Sequence, residues 1–196
     1  AKPNQVITSG CAAANYIKRR IKNPNVYMIG EEGLKEALNE SDIPITNKGN
    51  ANVVLIGLDR QITYKKLATA ALAVQNGAAF ISTNRDAAIP SEDGFVPGNG
   101  SLTAVISAST GTDPTFIGKP ETIMMEEALK QLNLAREEVV LIGDNYATDM
   151  IAGSQAGIDT VMVFTGVTRR EDLLKVNLQP TYCINTLHEW INKENE

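Results

Sequence analysis

Apolar positions along the chain follow two different periods: short continuous runs are separated by stretches in which apolar residues recur at helical spacing. Val53–Ile56 is a continuous apolar run, which is typical of a strand buried on both faces of a sheet. After it, Leu67, Ala70, Ala71 and Val74 fall on one face of a helix. Because such runs and helical stretches alternate, the pattern predicts an α/β fold with parallel sheets and right-handed crossovers.

The same pattern predicts the remaining elements. Strands are predicted at 6–8, 25–29, 53–56, 79–82, 115–117, 139–142, 160–163 and 182–184. Helices are predicted at 12–17, 31–39 and 67–74, from 101, from 120, between 143 and 160, near 171–174, and from 186. Strands 139–142 and 160–163 are expected to be buried. Prolines and glycines in residues 83–100 predict a long loop, and such loops inside compact domains are usually functional.

Composition and charge narrow the classes of function. The 196 residues are 43% hydrophobic and 21% charged, as in ordinary soluble globular proteins, and the net charge of −5 argues against nucleic-acid partners. No apolar run is long enough to span a membrane. The two cysteines, Cys11 and Cys183, lack metal-ligand spacing and suggest buried free thiols in a cytoplasmic protein. A single histidine, His188, excludes two-histidine zinc sites, which leaves carboxylates, lysine, hydroxyls and a hard metal ion for catalysis.

Two aspartates follow the apolar run at 139–142. Asp144 comes directly after Gly143 at the predicted strand end, and Asp149 falls in the first turn of the next helix if Thr148 caps it. Ligands of open α/β sheets bind beyond the carboxyl ends of the strands, and Mg²⁺ favours one or two carboxylates together with phosphate oxygens. We therefore expect Asp144 and Asp149 to form a magnesium site, although aspartates that only cap a turn and a helix would give the same pattern.

Two further segments have the composition of phosphate contacts. Lys119 lies between the predicted strand 115–117 and a helix that Pro120 is expected to begin, where its ammonium would meet a phosphoryl group. A lone lysine at a turn is more often a solvated surface charge. The glycine-rich residues 97–101 precede a helix whose backbone amides would cradle phosphate, but a turn with a helix cap is the more common explanation.

Together these segments resemble phosphatases of the haloacid dehalogenase (HAD) superfamily. Residues 118–120 (Gly-Lys-Pro) resemble the third motif of that superfamily, and residues 143–149 (Gly-Asp-Asn-Tyr-Ala-Thr-Asp) resemble the fourth. The resemblance is to the NagD or para-nitrophenyl phosphatase branch, and it covers nearly the whole chain. The further matching segments, in family order, are 6–10, 27–31, 54–59, 81–86, 97–101 and 165–168.

The resemblance implies a Rossmann-like core with an inserted α/β cap domain. Residues 1–24 and 96–196 would belong to the core, and residues 25–95 would form the cap. The implied activity is the Mg²⁺-dependent hydrolysis of small phosphorylated metabolites through an aspartyl-phosphate. Some members of the family form homodimers, so a homodimer is also possible for this protein.

The resemblance also implies roles for single residues. Asp144 would bind Mg²⁺ directly, Asp149 would support or complete the metal shell, and Lys119 would hold the nucleophile and the phosphoryl group together. A substrate-binding role is implied for a further set: Thr83, Asn84, Arg85, Asp86 and Asn145. The first four lie in a loop that faces the active site in this branch, and the charge of Arg85 would favour an anionic substrate.

Two family motifs have no counterpart in the expected place. The second motif is a Ser or Thr before an Asn that binds phosphate, and Thr83-Asn84 resembles it but lies between predicted cap strands. The first motif, Asp-x-Asp, carries the nucleophile, and this spacing of aspartates does not occur. We therefore expect a further N-terminal segment with the nucleophile and the first core strands, without which the chain would be inactive. An alternative is a catalytically inactive phosphate- or nucleotide-binding module. A bare flavodoxin-like signalling domain is disfavoured by the loop at 83–100 and the cap-like insertion.

Overall fold

The structure is a computed structural model that describes residue 2 and residues 5–193, apart from the side chains of 191–193. The chain forms two compact units, Ala1–Gly118 and Lys119–Glu196. Both have helices alternating with parallel strands, so the predicted α/β fold is confirmed. In the described part of the chain, none of the helices combines the length and the apolar character that a membrane crossing requires.

The first unit is built on a parallel sheet. Its elements are α1 (Ser9–Arg20), β1 (Val26–Ile29), α2 (Glu32–Glu40), β2 (Val53–Ile56), α3 (Tyr64–Gln75), β3 (Ala79–Ser82), β4 (Ala88–Ser91), β5 (Gly94–Pro97), α4 (Asn99–Thr110) and β6 (Thr115–Phe116). The sheet has four strands in the order β1-β2-β3-β6. β2 is buried along its whole length, as its continuous apolar run predicts, because strands flank it on both sides and apolar side chains of α3 and α4 pack on it.

Two predictions in this unit are wrong. Residues 6–8 form no strand: no described strand pairs with them, Val6 is exposed, and Thr8 instead caps α1, with its Oγ1 accepting the N–H of Cys11 at 3.1 Å. The long loop at 83–100 contains an antiparallel hairpin of β4 and β5. The turn before Gly94, whose φ is 128°, joins the two strands. Prolines interrupt the strand pattern in the sequence, but a two-stranded ribbon tolerates them.

The second unit contains a three-stranded parallel sheet in the order β7-β8-β9. Its elements are α5 (Ile123–Leu132), a 3₁₀ turn (Arg136–Glu138), β7 (Val140–Gly143), a π-helical segment (Tyr146–Met150), α6 (Ile151–Ala156), β8 (Asp159–Val163), a 3₁₀ helix (Arg170–Lys175), β9 (Tyr182–Ile184) and α7 (Leu187–Lys193). Burial of β8 confirms the prediction. The prediction that β7 is buried is wrong, because β7 is an edge strand among the described residues and exposes Val140 and Ile142.

The compact units do not follow the predicted domain boundaries. Residues 1–24 and 96–118 share a unit with the predicted cap, because α1 packs on α2, α4 packs on α3, and β6 extends the sheet beside β3. The assignment of residues to cap and core stays a prediction.

Both cysteines are free thiols, as predicted, but neither is buried. Cys11 is half-buried at the start of α1, and Cys183 is exposed on β9. Partial burial of the Cys183 thiol still raises its pKa above the ordinary value, against the lowering effect of the Arg170 charge.

Candidate active site

Polar residues gather where the parallel strands of the second unit end. β7 and β8 pair in register, so that Gly143 lies beside Met162 and the two chains leave the sheet at the same edge. Asp144 follows β7 directly, and the segment 164–168 follows β8. Crevices at this edge of open parallel sheets are where ligands bind.

The carboxylate of Asp144 is held by the segment that follows β8. Its Oδ2 accepts the N–H of Val167 at 3.1 Å, and its backbone carbonyl accepts the N–H of Thr168 at 3.0 Å. Gly166 lies so close to this carboxylate that a Cβ on Gly166 would overlap it. A glycine is therefore needed where the chain passes Asp144.

Asp149 lies in the π-helical segment that leads into α6, and its side chain is 7% exposed. Thr148 does not cap this segment, contrary to the prediction. Asn145 does, because its Oδ1 accepts the N–H of Ala147 at 3.0 Å. The N–H of Asn145 in turn donates to Oδ2 of Asp149 at 3.1 Å, which links Asp149 to the residue beside Asp144.

Lys119 pairs with Asp149 across the second unit. Its Nζ lies 2.6 Å from Oδ1 of Asp149, and the lysine side chain keeps 38% of its surface exposed. This charge-assisted hydrogen bond offsets the cost of burying the aspartate, while the lysine side chain stays partly exposed. Pro120 does not begin the next helix as predicted: it lies in a turn, and α5 starts at Ile123.

The residues at this edge fit a magnesium ion in part. Within the described part of the chain, no group of three or more His, Cys, Asp and Glu side chains converges as a complete metal site. Both oxygens of Asp149 are engaged, by Lys119 and by the N–H of Asn145. No described residue donates to Oδ1 of Asp144. Mg²⁺ needs only one or two carboxylates besides phosphate and water oxygens, so Asp144 suits a direct ligand and Asp149 a supporting one.

The predicted substrate residues 83–86 lie in the first unit, after β3. Thr83 is buried, and Oδ1 of Asn84 accepts the N–H of Asp86 at 3.1 Å. The guanidinium of Arg85 lies 4.3 Å from the ring centroid of Phe116, a cation–π contact that restricts the arginine. Their role in substrate choice stays a prediction.

A buried polar network behind this loop could not be recognised in the sequence. Nδ2 of Asn99 donates to Oγ of Ser82 at 2.9 Å and to the carbonyl of Asn84 at 2.8 Å. Oγ of Ser82 lies 2.8 Å from Oγ1 of Thr103. These residues come from the end of β3, the loop that follows it and the first two turns of α4, and only the tertiary fold brings them together. The one feature of the sequence that could have indicated this network is Asn99, which stands between two glycines.

The glycine-rich segment 97–101 packs against the same loop. Gly98 donates its N–H to Ala87 at 2.9 Å, and Gly100 donates its N–H to Asp86 at 2.8 Å. A Cβ on either glycine would overlap a backbone carbonyl of the loop. The suggested phosphate cradle at 97–101 is therefore wrong for these two amides, which already have acceptors.

The chain matches known proteins over most of its length. Residues 116–190 match a family model described as HAD-hydrolase-like. The 5'-nucleotidase YutF of Bacillus subtilis is 50% identical over 191 residues, which are 97% of this chain and 74% of that protein.

Two solved structures are also similar. A mutant of the thermostable p-nitrophenylphosphatase of Bacillus stearothermophilus has 52% identity and a TM-score of 0.91, with 97% of this chain and 74% of that one covered. NagD of Escherichia coli K-12 has 33% identity and a TM-score of 0.89, with 96% of this chain and 74% of that one covered.

Proposed function

Because this chain belongs to the HAD superfamily, in the branch of NagD and the p-nitrophenylphosphatases, we propose that the protein is a Mg²⁺-dependent phosphomonoester hydrolase. Its proposed substrates are small phosphorylated metabolites. The observation that carries the proposal is the arrangement at the carboxyl edge of the β7-β8-β9 sheet. There Lys119 pairs with the buried Asp149, and the N–H of Val167 holds Oδ2 of the neighbouring Asp144, whose Oδ1 receives no hydrogen bond from a described residue.

The residues of this edge have separate tasks in the proposed reaction. Asp144 would hold Mg²⁺, which when bound neutralises charge on the phosphoryl oxygens. Lys119 would place its ammonium against the same group, in the orientation that Asp149 fixes. Phosphoryl transfer depends mainly on positioning and electrostatics, which a fixed carboxylate and a fixed ammonium supply.

We propose that the reaction passes through an aspartyl-phosphate. A carboxylate oxygen of the family's nucleophilic aspartate attacks phosphorus as the alcohol leaves. Water then cleaves the acyl phosphate to release orthophosphate. The Asp-x-Asp spacing of the family's nucleophile motif does not occur among the 196 residues. Lys119, Asp144 and Asp149 therefore supply binding and charge neutralisation rather than the attack.

Turnover separates this proposal from a module that only binds phosphate or a nucleotide. The full-length protein with Mg²⁺ is expected to release p-nitrophenol from p-nitrophenyl phosphate over many turnovers, with orthophosphate as a competitive inhibitor. Absorbance measures the release, and isothermal titration calorimetry measures phosphate binding. Binding of orthophosphate without any release of p-nitrophenol would instead establish the binding module.

A further inference from the structure

The segment after β8 carries a side chain that the proposed chemistry does not use. Thr168 is 8% exposed, and its Oγ1 accepts the N–H of Tyr146 at 2.8 Å. Its own N–H donates to the carbonyl of Asp144 at 3.0 Å. One threonine therefore binds the backbone on both sides of Asn145.

These two hydrogen bonds hold the backbone that carries both candidate carboxylates. The backbone carbonyl of Asp144 is bound directly, and Tyr146 opens the π-helical segment that contains Asp149. A buried hydroxyl that accepts a backbone N–H resists displacement, because the N–H would otherwise be left without a partner. The turn from β7 into this segment is thus fixed from the β8 side.

The same segment sets which oxygen of Asp144 is available. With Thr168 anchored, the N–H of the preceding Val167 reaches Oδ2 of Asp144 at 3.1 Å, and Gly166 lies against the carboxylate. Oδ2 is therefore held on the side of the β8 segment. Oδ1 receives no hydrogen bond from a described residue, so it is the oxygen that can face a cation.

We propose that Thr168 is a positioning residue for the metal site: its hydroxyl fixes the turn at 144–146 so that Asp144 presents Oδ1 to Mg²⁺. This inference rests on the proposed function. Hydrogen bonds that orient a metal ligand are generally worth about 10- to 100-fold in metal affinity. The Thr168 hydroxyl would act in this way through the backbone rather than by touching the metal or the substrate.

The test compares Mg²⁺ affinity in three variants of the full-length protein, by isothermal titration calorimetry. Thr168→Val keeps the shape but removes the hydroxyl, and we expect its Kd for Mg²⁺ to rise about 10- to 100-fold. Thr168→Ser restores the hydroxyl and is expected to restore the affinity. The matched control is Thr160→Val, because Thr160 is also buried and its Oγ1 accepts the N–H of Thr181 at 3.1 Å, at the amino end of β8. That control is expected to lower Tm and leave the Mg²⁺ affinity unchanged.

Amide hydrogen exchange of Tyr146 gives a second readout that needs no metal. The Tyr146 N–H should lose protection in Thr168→Val and keep it in Thr168→Ser. Unchanged protection or unchanged affinity in Thr168→Val would overturn the role of Thr168, and an equal loss of affinity in Thr160→Val would reduce it to general stability. Neither result would affect the proposed function. A wild-type protein with neither Mg²⁺ binding nor turnover would overturn both.

Discussion

Replacement of Asp144 by asparagine is expected to lower the hydrolysis of p-nitrophenyl phosphate by the full-length protein by about 10³-fold or more. A metal ion stabilises charge in the transition state by several kcal/mol, and each loss of about 1.4 kcal/mol lowers a rate tenfold. Asparagine keeps the size of the side chain and can still accept the Val167 N–H, but it removes the charge that would attract Mg²⁺. The variant is therefore expected to fold normally and to bind the metal weakly.

The control for this variant is Asp159→Asn, which makes the same change of charge in the same unit. Asp159 begins β8, at the opposite end of the strand from the candidate site, and is exposed. Its rate should stay close to that of the wild type. A comparable loss of rate in both variants would show that net charge, rather than a ligand at position 144, governs the activity.

Replacement of Gly143 by alanine is expected to destabilise the protein and to disable the site at once. A Cβ on Gly143 would overlap the Cβ and Cγ of Asp149, and it would lie 2.5 Å from Oδ2. Asp149 has little freedom to move away, because Lys119 and the N–H of Asn145 hold its two oxygens. Overpacking of this kind costs about 1–3 kcal/mol, and the displaced carboxylate would also release Lys119. Chemical denaturation and the rate of hydrolysis measure the two effects.

Gly33→Ala is the matched control for the added methyl group. Gly33 lies in α2, and apart from its chain neighbours and the backbone of its own helix no heavy atom comes within 4 Å of the Cβ position. Alanine is favoured over glycine in helices by up to about 1 kcal/mol, so this variant should be as stable as the wild type or slightly more stable, with unchanged activity. If Gly143→Ala were equally well tolerated, the close approach of Gly143 to Asp149 would not be a constraint on the site.

The sequence pattern predicted a strand accurately in several places where a short apolar run lies between turn residues. β2, β3 and β9 occupy the predicted residues, since apolar runs bounded by turn residues leave little choice of boundary. The hairpin of β4 and β5 was missed because Pro90 and Pro97 interrupt its pattern. The predicted strand at 6–8 is the opposite kind of error. Its local sequence suits a strand, but a strand forms only where a neighbouring strand is available to pair with it.

The candidate site was predictable in its charged residues and not in the contacts that hold them. Asp144 and Lys119 follow strand ends, and the sequence pattern predicts that position. The motifs that contain these two residues also indicated the family. The bonds from Thr168 to Tyr146 and from Asn99 to Ser82 join distant parts of the chain. Nothing in the local pattern of a threonine or an asparagine indicates its partner, so such contacts emerge only from the tertiary structure.

We propose that phosphomonoester hydrolysis by this protein requires a metal ion at the carboxyl edge of the β7-β8-β9 sheet. The most direct measurement is the rate of p-nitrophenyl phosphate hydrolysis by the full-length protein after treatment with EDTA, followed by titration with Mg²⁺. We expect a rate near zero in EDTA and a saturable recovery with Mg²⁺. A full rate of hydrolysis in the presence of excess EDTA would contradict it.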